Sequence, residues 1–325
     1  MTYLNLPVIG RFFFFYQIIK LGKWKGNMRL SNKSPIGFIG AGKVGTSLAI
    51  ALHEVGYRVT GAYSKSISSA NNLSNAIPNC RTYSYIKDIA SNCEILFITT
   101  PDDSIESTAN SFEPSSHNSL VHCSGAKTID VFTSAISKNI QVGSFHPMQA
   151  FSSIENGVES IPGTTFGIEG TGEIRNYLSE VAIQLKGIPV FIRSEHKALY
   201  HLSGVMLGNL LASLAAISAN LWSQMNIDVD TALEALTPMI SQVAVNLQTS
   251  GIPQGIAGPY VRGDVGTIES HLEALVKYSP NLLPLYCELA LAGLPYAQMN
   301  GLNKTNHLNI KELLETYKSH PKIAN

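Results

Sequence analysis

The chain has 325 residues; 23 lysines and arginines balance 23 acidic residues, and 45% of the residues are apolar. That length corresponds to about two domains, with enough apolar side chains for a sizeable core. A formal net charge of zero argues against a nucleic-acid partner, which selects a basic surface, and against a polybasic membrane anchor.

The N-terminal stretch "LPVIGRFFFFYQIIKLGKWKG" is apolar and aromatic, then basic. Its apolar run is short for a bilayer span, and its charge follows the apolar run instead of preceding it as in a secretory signal. Met28 is the expected start, or residues 1–33 form a loose extension; a tether to a membrane surface is the alternative.

From Ser34 to Ile192 strand and helix signals alternate. "IGFIG" reads as a buried strand, Val44–Val55 as a helix, "YRVTGAY" as a strand, and Ser68–Ala76 as a short helix before Pro78. "EILFITT" is a strand followed by a helix over Asp102–Phe112, N-capped by Asp102 or a neighbour; "SLVHCS" precedes a helix over Ile129–Ser137. "IQVGSF", "TTFGIEG" and "GIPVFI" are further strands, with a helix over Glu173–Leu185. Such alternation implies an α/β domain built on a doubly wound parallel sheet, and near-continuous apolar strands fit a sheet covered on both faces. After Ser194 the strand signal fades. Glu195–Met225 is one long apolar stretch, and helices are expected over Asp230–Thr249, Ile268–Lys277, Leu282–Met299 and Ile310–His320. The division is therefore an extension over 1–33, a dinucleotide-binding (Rossmann) domain over 34–193, and an all-helical domain over 194–325 for substrate and dimerisation. The helix opening that domain is apolar almost all round, so it should be buried, against a second subunit if not within the chain.

Gly40-Ala41-Gly42-Lys43-Val44-Gly45 is a G-x-G-x-x-G pattern between a strand and a helix, the context that makes it a dinucleotide fingerprint. Gly40 permits the tight turn, Gly42 lets the backbone approach a pyrophosphate, and Gly45 allows close helix packing. The N–H groups of the helix N-terminus then face the phosphates. About twenty residues on, an acid would bond the ribose 2′-hydroxyl of NAD; here the strand ends in Ser64-Lys65-Ser66. A lysine between two hydroxyls suits a 2′-phosphate, so NADP(H) is favoured over NAD(H), although Lys65 also reads as an ordinary solvated loop lysine. Thr100-Pro101 and Ser124-Gly125 stand where further strand ends would meet the cofactor.

Hydride chemistry needs a proton donor or polariser beside the acceptor carbon. His146, in "SFHPMQAF" just past a strand end, has the right pKa class. Lys197 and His201 share a helix face that Gly204 and Gly208 extend, with Asn209 one turn round. Arg262 in "GPYVRGD" suits a bidentate clamp on a substrate carboxylate, or pairs with Asp264. His146, Lys197 and His201 are thus the candidate catalytic residues; Asn209, Arg262 and Asp264 are the candidate substrate ligands. The four cysteines form no C-x-x-C pair or zinc pattern, so no metal is expected and reduced thiols in a cytoplasmic protein are.

"GAGKVG", "TTPDDSI", "HCSGA", "FHPMQAF" and "GPYVRGDVGTIESHL" together resemble a bacterial family that joins a Rossmann-like domain to a helical domain of unknown function. That family is similar in layout to pyrroline-5-carboxylate reductase and the 6-phosphogluconate dehydrogenase-like superfamily. The resemblance implies an NADP-linked reductase-like fold that dimerises through the helical domain. In the related hydroxyacid dehydrogenases a helix lysine is followed four residues later by asparagine; here Lys197 is followed by His201, so that mechanism does not carry over. The pyrroline-5-carboxylate reductases have a glycine- and threonine-rich loop where this chain places Arg262 and Asp264, which implies a different substrate. The expected activity is hydride transfer between NADPH and a small carbonyl or imine substrate held between the domains; the alternative is a non-catalytic dinucleotide-binding sensor.

Overall fold

The computed structural model describes residues 30–319; the expectations for a start at Met28, a loose extension or a tether fall largely outside them. Leu30, placed by the sequence in the extension, is buried in the core of the sheet unit.

Eight strands form one sheet: β1 (Ile36–Ile39), β2 (Val59–Tyr63), β3 (Arg81–Thr82), β4 (Ile95–Ile98), β5 (Ser119–His122), β6 (Gln141–Pro147), β7 (Thr165–Gly170) and β8 (Ile188–Phe191). Their order is β3-β2-β1-β4-β5-β6-β7-β8. All neighbours are parallel except β6 and β7, which pair antiparallel. The sheet is therefore mostly parallel, and the antiparallel step corrects the all-parallel expectation. An apolar run shows that a strand is buried, not which way it runs. Each of β1, β4 and β5 is buried along its full length, as a sheet covered on both faces requires. One core side stacks Phe38 on Phe97 and Phe145 on Phe166. The order reverses between β1 and β4, so the crevice beyond their C-terminal ends is the ligand position of an open α/β sheet.

The described chain divides into two compact units, one running through Leu211 and the other from Ala212 onward. The first unit thus extends beyond residue 193. Helix Lys197–Val205 and the π-helical turn Met206–Leu210 belong with the sheet, because Lys197 and Tyr200 insert into it.

In the second unit no strand occurs among the described residues. Its helices include Val229–Ser250, Val265–Tyr278, Leu283–Met299 and Lys304–Lys318. Leu283, Cys287, Ala290, Leu294 and Ala297 are buried at three- and four-residue spacing, the stripe a helix needs to face a core. Ile268, Leu272, Ile310 and Leu314 complete that core.

The long apolar stretch after Ser194 is not buried within the chain: Leu199 is 68% exposed and Leu207 76%. Ser194–Met225 is long and apolar enough to cross a membrane by length and composition.

Candidate functional site

The fingerprint loop opens helix Lys43–Glu54 at Gly42, with no side chain capping the helix and no acid in its first turn. The first N–H groups are therefore free of a competing capping side chain, and the dipole's positive end is uncompensated. Each glycine has a separate reason. Gly40 has φ of +110°, and a Cβ there would lie 2.7 Å from the Thr99 carbonyl carbon. At Gly45 a Cβ would press 2.4 Å from Thr99 Oγ1. At Gly42 it would meet nothing within 4 Å, because that position faces the crevice. Thr99 fixes the turn by donating its hydroxyl to Gly40 O at 2.6 Å.

A crevice of about 700 Å³ lies over this loop, lined by Gly40, Ala41, Gly42, Lys43, Val44, Ser64, Lys65, Thr100 and Pro101 among others. Gly45, Ser66, Ser124 and Gly125 do not line it. The residues present fit a dinucleotide on a structural observation: Thr100 Oγ1 is buried and has no hydrogen-bond partner, beside an uncapped helix terminus. Buried polar atoms ordinarily find partners, and a bound diphosphate or ribose would supply one. At the end of β2, Ser66 N-caps helix Ile67–Asn75 and accepts from the Ser69 amide and hydroxyl. Lys65 is exposed beside it, and no acid stands in that helix's first turn.

Several candidates have structural duties. Ser124 donates to Asp102 at 2.6 Å and accepts from the amides of Ala126 and Lys127, so its hydroxyl ties two loops together. Asp102 accordingly does not cap the helix expected there; the segment starts as a 3-10 turn without a side-chain cap. Asp264 caps helix Val265–Tyr278 through Thr267 and pairs with Arg262 at 3.8 Å. Both carboxylate oxygens of Asp264 are thus engaged inside the helical unit, and Arg262 is mostly exposed there. Asn209 lies exposed in the π-helical turn.

His146 is within β6, not past its end. The β6–β7 register places Ser144 opposite Glu169 and His146 opposite Gly167, and positions two apart share a sheet face. Helix Lys197–Val205 crosses that face. Lys197, 2% exposed, donates to Ser144 Oγ and to Glu169 Oε2, the latter at 3.3 Å. One turn on, Tyr200 Oη is 3.0 Å from His146 Nδ1. The ring of His201 stands edge-on to His146, 5.7 Å between centroids. Gly125 brings β5's loop against both rings: a Cβ there would lie 2.3 Å from His201 Cδ2 and 2.7 Å from His146 Nε2.

The structure therefore brings His146, His201 and Gly125 together, and turns Lys197 into the sheet rather than toward solvent. Burial lowers the Lys197 pKa, and the carboxylate of Glu169 opposes that shift. Glu169 also accepts from Ser194 and from the Ile129 amide. Sequence reasoning missed Tyr200, Glu169, Ser144 and His122. The available signals were Tyr200 three residues after Lys197, and a lone acid inside the apolar strand "TTFGIEG".

His122, fully buried on β5, accepts from the Ser124 amide at Nδ1, and its Nε2 lies 3.3 Å from Thr128 O. Burial, helped by the Lys197 charge, pushes its pKa down to about 3; burial, with His201 and Lys197, pushes His146 down to about 4. Both folded values lie below the unfolded value of 6.5, so between these values the unfolded chain binds more protons. Stability from these groups is present above pH 6.5 and is lost as pH falls toward about 4. The expected cost is on the order of 2 kcal/mol per histidine at pH 5. Urea unfolding at pH 7.5 and pH 5 checks this, and a His146→Gln variant should show a shallower dependence.

A Rossmann-like domain family matches residues 24–147, and the family described as a domain of unknown function, DUF2520, matches residues 164–292. The two matches follow one another along the chain, the Rossmann-like model first and the DUF2520 model second. The DUF2520 match begins at β7, so that domain reaches into the sheet and includes Glu169, Lys197 and Tyr200. No curated protein is a match. Among solved structures, the chain is similar to a Bacteroides fragilis protein assigned as a candidate NADP oxidoreductase: TM-score 0.64, 24% identity, covering 81% of this chain and 99% of that one. It is also similar to an imine reductase from Pseudomonas sp.: 0.56, 20%, covering 87% and 99%. Pyrroline-5-carboxylate reductase from Streptococcus pyogenes gives 0.56 and 15%, covering 89% and 100%. At these identities the likeness shows the fold alone.

Proposed function

We propose that the chain is a cytoplasmic NADP-dependent oxidoreductase acting on a small carbonyl or imine compound. The observation that carries the reading is the uncapped helix terminus at Gly42, open to a crevice that also holds the unpartnered Thr100 hydroxyl. The names of the similar oxidoreductase and reductases support it at the level of fold. The main chain at Gly40–Gly45 holds the diphosphate, as a helix N-terminus holds an anion. Ser64 and Lys65 at the crevice wall, with Ser66 beside them, receive the 2′-phosphate. When bound, NADPH supplies a hydride. The nicotinamide ring lies beside the Gly125 loop, against which His146 and His201 pack directly because a Cβ there would collide with both rings. His146 and His201 face the acceptor group. Lys197 acts from beneath: paired to Glu169 and Ser144, it fixes the helix that carries Tyr200 and His201. The protein is further proposed to be a homodimer through the helical unit. Helix Val229–Ser250 buries only Ala232 and leaves Leu233, Met239, Val243 and Leu247 exposed; a second copy would cover them.

Calorimetric titration tests the cofactor assignment. NADPH should bind at least about tenfold more tightly than NADH, and Lys65→Glu should erase or invert that preference by removing an attraction and adding a repulsion at the 2′-phosphate. Equal affinity for the two nucleotides in the unaltered chain would reject it.

A further inference from the structure

Resting on the cofactor reading above, we propose that Phe151 is the apolar wall against which the nicotinamide riboside half of NADPH packs, and so a positioning residue for hydride transfer. Phe151 closes the motif "FHPMQAF", four residues past the end of β6. Its side chain lines the crevice over the fingerprint loop.

The sheet order fixes which half of the ligand it meets. The crevice opens where that order reverses, between β1 and β4. Tyr63, Ser64 and Lys65 at the end of β2 form one flank, the flank that receives the 2′-phosphate. Phe151 follows β6, which lies beyond β4 and β5 on the opposite side of β1. Among the described residues it is the one position of the crevice wall contributed from beyond Ser111. The wall has two aromatic rings, Tyr63 and Phe151, and the strand order puts them on opposite flanks. A ligand with its diphosphate at Gly42 and its 2′-phosphate at Lys65 has only its nicotinamide riboside half left to reach Phe151.

The loop that carries the ring is pinned on both sides. Before it, the Met148 N–H donates to Thr165 O at 2.8 Å, and the Gln149 side chain accepts from the Ala150 amide at 2.9 Å. After it, Ser153 N-caps the helix Ile154–Ser160. Ser47, on the fingerprint helix Lys43–Glu54, donates to Ile154 O at 3.0 Å and ties the two helices together. Gly157 permits that approach: a Cβ there would lie 2.3 Å from Ser47 Oγ and 2.8 Å from Phe151 Cδ1. One side of the ring therefore packs on the core of the sheet unit, and the other faces the crevice. A ring already held in place costs little ordering when a ligand arrives. Nicotinamide is a planar heterocycle that packs well on an aromatic side chain, and fixing this half fixes where its C4 lies, as hydride transfer requires.

Calorimetric titration of the full chain with two ligands tests the placement. One is NADPH; the other is 2′,5′-ADP, which keeps the adenosine and the 2′-phosphate but has no nicotinamide riboside. Phe151→Ala should weaken NADPH about tenfold and change 2′,5′-ADP by less than about twofold. A merely structural role would not split the two ligands in this way. Phe151→Leu, which keeps apolar packing against the core and serves if the alanine variant does not fold, should show the same split at a smaller size. Equal weakening of both ligands, or undiminished affinity for NADPH, overturns the proposal. Failure of the cofactor reading looks different: the unaltered chain then binds neither ligand.

Discussion

Gly42→Leu is expected to leave thermal stability unchanged and to weaken NADPH binding at least about 100-fold, a loss of roughly 2.7 kcal/mol. The two outcomes separate because a Cβ at Gly42 meets nothing within 4 Å, so the folded chain has room for a side chain where the diphosphate would lie. The leucine would stand between the ligand and the free N–H groups of helix Lys43–Glu54. Neighbouring glycines serve as controls of the opposite kind. Gly45→Ala would press on Thr99 Oγ1 and Gly40 O, and Gly40→Ala would hold a side chain at a positive φ against the Thr99–Thr100 backbone; both should destabilise the fold. Differential scanning calorimetry alongside titration makes the comparison. A Gly42→Leu protein that binds NADPH as tightly as the unaltered chain would remove the basis of the cofactor assignment.

Lys197→Met is expected to destabilise the protein by about 3–5 kcal/mol, the typical cost of stranding one member of a buried ion pair. Glu169 would keep the Ser194 and Ile129 hydrogen bonds but lose the Lys197 cation. A double variant, Lys197→Met with Glu169→Leu, should recover most of the loss, because an apolar pair of similar volume carries no charge to desolvate. Urea unfolding measures both. If the single variant is as stable as the unaltered chain, Lys197 does not anchor its helix to the β6–β7 pair.

The fingerprint loop was legible in the sequence because its constraint is local. Gly40, Gly42 and Gly45 each answer to atoms within one turn or the adjacent strand end, and the missing acid after β2 lies on the same continuous segment. Strand positions were legible for β1, β4 and β5, whose burial on both faces leaves an unbroken apolar run. β3 was not, since two residues are too few to form a pattern. The site around His146 was only half legible. His146 and His201 stand out as polar residues in apolar surroundings, but their partner Tyr200 is set by the β6–β7 register and by where a helix crosses it. The same long-range pairing puts Lys197 on Glu169, which turned an expected polariser into a buried anchor. Asp264 shows the converse: a short acidic residue near a glycine loop suggests a ligand, while its hydrogen bonds to Thr267 are structural. The apolar stretch after Ser194 was expected to be buried, yet composition alone does not say whether its cover comes from the same chain.

The most direct measurement is a crystal structure of the chain with NADPH. The account predicts the diphosphate against the main chain at Gly42, the 2′-phosphate at Lys65, and the nicotinamide ring over Gly125 with its C4 on the side of His146. A diphosphate seated away from Gly42, or a ring turned from His146, would contradict it.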